Sequence, residues 1–155
     1  MRITALLTIA FAVAACSTKD APPAADTSTP AVTAAEPAPM SLESVAGTWN
    51  FNVMAMDKDT VLTTHVLTAT ADPAGWSILQ PTGDVVKMRD VTVAGDSITT
   101  VAGPFKSGVR AKMTVKDLRT VYRLQDGKLI GVATAKYETT GADSVRQFRF
   151  EGTRQ

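Results

Sequence analysis

From Trp49 onward the chain alternates apolar and polar residues one by one, and this period of two constrains its fold more than anything else in it. Trp49, Phe51 and Val53 interleave with Thr48, Asn50 and Asn52. Val109, Ala111, Met113 and Val115 interleave with Arg110, Lys112, Thr114 and Lys116. That is the pattern of strands with one buried face. Residues 129–137 and 145–151 repeat it, and β-branched side chains crowd 60–70, 75–80, 85–93, 97–102 and 119–125. The breaks between runs are short. Asp126-Gly127 is the clearest, because a two-residue type I′ hairpin needs positive φ at both central positions. Gly83-Asp84, Gly95-Asp96 and Gly141 near Asp143 resemble it. Such breaks join antiparallel neighbours, whereas a parallel crossover needs about a dozen residues or more. The reading is all-β: about nine short strands in one antiparallel meander. The meander must close into a small barrel or, alternatively, pack as an open β-sandwich, to bury its inner face and protect its edges.

This domain occupies residues 41–155, with Ser41 placed to cap one helical turn before the first strand. Residues 17–40 are dominated by Pro, Ala, Thr and Ser without periodicity. Such a composition cannot bury enough apolar surface to offset its ordering entropy, so it reads as an extended, disordered tether. Residues 1–15 place Arg2 before a short apolar run and end in small residues. The run is too short to span a bilayer and reads as an export signal.

At the end of that signal stands Val13-Ala14-Ala15-Cys16. It resembles the lipobox of bacterial lipoproteins, in which an aliphatic residue and two small ones precede the modified cysteine. The resemblance implies cleavage before Cys16, diacylglycerol on its thiol and a fatty acyl (palmitate-type) chain on the new amine. Two or three chains would hold the protein on a membrane, where one holds only marginally. The resemblance also implies a cell-envelope location. Because Ser17 and Thr18 stand directly after Cys16 and no aspartate does, the expected site is the outer membrane facing the periplasm in a Gram-negative cell, and otherwise the outer face of the cell membrane. Cys16 is the only cysteine, so an internal disulfide and a multi-cysteine zinc site are excluded.

The domain opens with Gly47-Thr48-Trp49, which resembles the Gly-x-Trp signature of lipocalins and the wider calycin group. The resemblance implies a barrel whose tryptophan closes the floor and packs on an arginine of the last strand. Arg154 is the partner it points to, with Arg149 as second choice. The domain's length, without a long C-terminal helix, suits the small lipocalin-like barrels of bacterial lipoproteins.

Residues able to do chemistry are sparse. His65 is the only histidine and sits in a strand-like run, where a wall or surface position is the plainer reading than a catalytic base. No nucleophile-elbow motif and no phosphate-binding glycine loop is present. One histidine without a free thiol does not make the usual zinc sets. Asp57 and Asp59 flank Lys58 in too short a loop for an EF-hand, and read as solvated turn residues. Met54, Met56, Met88 and Met113 read as packing rather than a copper(I) ligand set. Charge is balanced, 16 Lys and Arg against 15 Asp and Glu, which does not suit a nucleic-acid binder. Arg110, Lys112, Arg119 and Arg123 form either a basic patch for an anionic ligand or ordinary solvated sheet surface. Trp76 is either a core anchor or a rim aromatic, and Phe105 either caps a barrel mouth from its loop or tucks onto the core.

The expected function is therefore not enzymatic, and neither metal nor dissociable cofactor is expected. A lipid-tethered barrel in the cell envelope would hold a small apolar molecule, lined by Phe51, Val53, Met113, Val115 and Leu129 with Phe105 at the mouth. The alternative is a structural accessory that contacts an envelope protein.

Overall fold

The computed structural model describes residues 39–155; the Val13–Cys16 motif and nearly all of the tether lie outside the described residues. The order of elements is α1 (Leu42–Val45), β1 (Gly47–Ala55), β2 (Val61–Ala69), β3 (Ser77–Leu79), β4 (Val85–Ala94), β5 (Ser97–Ala102), β6 (Phe105–Lys106), β7 (Thr114–Gln125), β8 (Lys128–Tyr137) and β9 (Val145–Arg154). Every pairing is antiparallel. β1 pairs with β2 on one edge and β9 on the other, and β5 pairs with β7. The meander therefore closes into a barrel of eight strands, not an open sandwich. β6 prolongs the line of β5 along the same edge of β7: Ala102 faces Leu118 and, three residues on, Phe105 faces Val115.

The hairpins follow from the turn residues. Gln125 pairs with Lys128 across Asp126 and Gly127, whose φ values are 51° and 75°. Gly95 and Asp96 join Ala94 to Ser97 in another two-residue turn, with positive φ only at Gly95, 57°. These hairpins and the 70–76 connection lie at one end of the barrel with Gly47 and Arg154, while the loops after β1, β3, β6 and β8 lie at the other.

The first end is a built floor. Ser41 caps α1 in a reciprocal capping box with Ser44, and the turn puts Val45 fully inside. Trp49 donates its indole N–H to the Val45 carbonyl at 2.8 Å. The Arg154 guanidinium lies 4.4 Å from the Trp49 ring centroid and donates to the carbonyls of Ala46 and, at 3.0 Å, Ser44. Gly47 makes this approach possible, because a Cβ there would stand 2.7 Å from Arg154 Nη1. Arg149 instead ties down the loop after β1, donating to the carbonyls of Ala55 and Lys58 and pairing with Asp59.

Above the floor the interior is filled with rings. Phe150 packs 5.1 Å from Phe51 and 5.0 Å from Tyr122, and Trp76 meets Tyr122 edge-on at 6.2 Å. Trp76 is thus a core anchor, with its N–H donated to the Thr70 carbonyl at 2.7 Å. Gly131 and Gly152 make room on the adjoining wall: a Cβ on the first would meet the Val121 carbonyl of the neighbouring strand and the Phe150 ring, and one on the second the Phe51 ring.

One expected strand is shorter than its alternation suggests. Val109, Ala111 and Met113 do not extend β7, which begins at Thr114. The Ser107 hydroxyl accepts the backbone N–H of Val109 and Arg110, and Met113 N–H closes on the Arg110 carbonyl. A side chain that offers local hydrogen bonds competes with the ladder, and here the local turn prevails. Phe105, read as a loop residue, lies in β6.

Candidate functional site

The mouth end is built differently from the floor. A cavity of about 80 Å³ lies there, walled by Val53, Ile78, Val86, Val115, Leu118 and Phe148. A bulge at Lys116 is what brings both Val115 and Leu118 inward, since it shifts the alternation of β7 by one. β8 contributes only Ala133 and Ala135 to the lining before it reaches Tyr137, and these small side chains leave the space.

The turn at 107–110 forms a strap over this cavity, with Ser107, Gly108 and Val109 against it. A Cβ on Gly108 would stand 3.1 Å from Gln80 Oε1 and 3.6 Å from Thr63 Oγ1, so the strap reaches the far wall. On the near side Arg110 stacks 5.2 Å over the Tyr137 ring, donates to the Asp143 carbonyl at 3.2 Å and pairs with its carboxylate at 3.7 Å. Salt bridges with Arg146 and Arg110 hold the Asp143 carboxyl below its ordinary range.

His65 stands between the two halves. It lines the cavity and stacks on Phe51 with ring centroids 5.3 Å apart. Burial lowers its pKa to about 4, so the imidazole is neutral at physiological pH. No carboxylate lines the cavity beside it; the polar side chains there are those of Thr63, Thr64, Gln80, Ser107 and Tyr137. Below it, burial raises the Tyr122 phenol to about 12, against the hydroxyls of Thr100 and Thr120.

Of the six residues expected to line a ligand site, Val53, Phe105 and Val115 line this cavity. Met113 packs onto the mouth cluster from the base of the strap without lining the cavity. Phe51 and Leu129 belong to the filled floor half, where Leu129 is fully buried. Alternation assigns a side chain to the inner face, but its height along the barrel depends on strand register. Thr63, Thr64, His65, Gln80, Pro81, Tyr137 and the strap also line the cavity, and of these the sequence signalled only Tyr137, through the alternation of residues 129–137.

The basic residues do not converge. Arg110 sits at the mouth with Asp143, and Arg123 at the opposite end pairs with Asp96 at 3.2 Å. The methionines are equally scattered: Met88 packs on the floor cluster, Met113 on the mouth cluster, and Met56 is exposed. Among the described residues no group of three or more His, Cys, Asp or Glu side chains is placed to hold a metal ion. No protein-family model, no curated protein and no solved structure matches this chain.

Proposed function

We propose that this chain is a cell-envelope lipoprotein, anchored by acyl chains on Cys16, whose lipocalin-like barrel binds the end of a slender apolar molecule under the strap at its mouth. The lipid anchor and the envelope location rest on Val13-Ala14-Ala15-Cys16 and the signal-like residues before it. The lipocalin-like reading is supported by the Gly47-x-Trp49 opening with Arg154 over the indole face. The ligand is supported by one observation above the rest: an apolar cavity at the open end of a barrel whose other half is packed solid. A neutral His65 stacked on Phe51, with no carboxylate lining the cavity beside it, suits binding better than acid–base chemistry.

Size limits what enters. An engineered cavity of roughly 150 Å³ admits benzene, so about 80 Å³ accommodates only a few carbon atoms while the strap is down. A longer ligand requires residues 107–110 to lift from Gln80 and Thr63. The small volume also favours a second reading, in which the barrel is a rigid accessory to an envelope protein, because drug-sized ligand sites run to about 300–1,000 Å³.

Native mass spectrometry of the full chain, drawn gently from its own membrane, separates the two. A reproducible adduct that leaves on denaturation and is absent from the Ala135→Phe chain supports the carrier. A bare chain with a co-purifying protein overturns it in favour of the accessory.

A further inference from the structure

Six of the eight large hydrophobic side chains exposed among the described residues lie at the mouth end: Met56, Val61, Leu62, Leu79, Val85 and Val145. They fall at the mouth ends of β9, β1, β2, β3 and β4, or just beyond, and these five strands are neighbours in the sheet. The result is an apolar arc over about half the rim, with Val85 the most exposed at 62%. The remaining rim, on β6, β7 and β8, carries Lys106, Arg110, Lys112 and Glu138 instead.

We infer that this arc docks the barrel, mouth first, on a lipid bilayer. A curved set of side chains at strand tips offers no flat face for a folded partner. A fluid interface needs no complementary shape, and it buries apolar side chains by about 5–10 Å at the level where headgroups meet acyl chains. The arc also borders the cavity. β2, β3 and β4 carry Leu62, Leu79 and Val85 outside and Thr63, Ile78 and Val86 against the cavity, so an apolar chain leaving the bilayer would meet the cavity wall without crossing water. The arc holds Asp57, Asp59 and Asp84 in its loops beside Lys58, and Arg146 at the start of β9, with no cationic excess, so the docking is apolar and needs no anionic lipid.

The described chain begins at the other end, where Met40 N–H bonds to the Gly95 carbonyl at 2.9 Å. Cys16 lies 24 residues before Met40, a contour of at most about 80 Å. A ten-residue strand such as β8 spans roughly 33 Å. A barrel anchored through Cys16 therefore has enough chain to turn its mouth toward the membrane that holds it. That last step rests on the lipid-anchor reading above; the docking itself needs only the rim.

Val85→Cys and Leu124→Cys in the full chain, labelled with a polarity-sensitive fluorophore, test the inference on phosphatidylcholine vesicles containing brominated acyl chains. Val85 is on the arc, and Leu124 is exposed at the floor end. The label at 85 is expected to shift to the blue and be quenched by bromine, in high salt as in low, while the label at 124 is unchanged. Two unquenched labels overturn the docking. A blue-shifted but unquenched label at 85 overturns it as well, since a protein or a second copy then covers the arc. The mass of the parent chain reports the anchor separately. If no acyl mass is present the lipid-anchor reading fails, and the two labels are read in the Cys16→Ser chain.

Discussion

The floor half and the mouth half of this barrel share the same strands and differ in how they use space. In the floor half, Trp49, Phe51, Trp76, Tyr122 and Phe150 interlock, and glycines at 131 and 152 stand where two of the rings need the wall to recede. In the mouth half, β8 presents Ala133 and Ala135 and nothing larger fills the gap. Small side chains thus serve opposite ends. Next to a ring they permit close packing, and without one they leave a cavity. Ring packing is concentrated at the floor, and the unfilled space is left at the mouth.

Substitutions can test that division. The largest effect is expected from Trp49→Ala, which removes a ring buried among the floor residues and anchored to Val45. A loss of about 3–5 kcal/mol is expected in urea unfolding, and a loss below 1 kcal/mol would show that the floor does not carry the fold. His65, at the boundary, comes next. Its pKa of about 4 in the folded chain lies below the ordinary 6.5, so between those values the unfolded chain binds more protons. Its contribution is complete above pH 6.5 and is lost as pH falls toward 4. The loss is on the order of 3 kcal/mol, and it should be missing from the His65→Phe chain in the same titration. Equal slopes for the two proteins would mean that His65 is not buried as a neutral ring.

Gly152→Ala should cost about 1–3 kcal/mol through overpacking against Phe51. Its counterpart, Ala135→Leu, points into the cavity and should change stability by less than about 1.5 kcal/mol, and the adduct expected in native mass spectrometry of the parent chain should be missing from it. If both substitutions cost the same, the two halves are equally packed and the comparison fails.

Much of this was legible beforehand, for identifiable reasons. Trp49, Phe51 and Val53 declare an inward face by alternation alone, and Asp126-Gly127 declares a hairpin by the φ values it tolerates. The meander follows, because short breaks leave only antiparallel neighbours. The pairing of Trp49 with Arg154 came from a motif at one end of the domain and an arginine at the other, which β1 and β9 bring side by side. The cavity was less legible. Phe51 and Val53 have the same parity and the same expected role, yet one lies in the packed half and the other at the cavity. Nothing local separates them, since each one's height depends on which residues the neighbouring strands set beside it. The strap was hidden for another reason: Val109, Ala111 and Met113 alternate like a strand, and local hydrogen bonds, from two backbone N–H groups to the Ser107 hydroxyl and from Met113 to the Arg110 carbonyl, turn them aside.

The sequence by itself determined the strand faces, the hairpins and the all-β class, because these depend on side-chain parity and on the backbone preferences of single residues. Closure, the height of each ring, the bulge at Lys116 and the apolar arc on five neighbouring strands were decided only by the tertiary structure. All of these depend on register between segments far apart in the chain, and register is an outcome of the whole barrel closing at once.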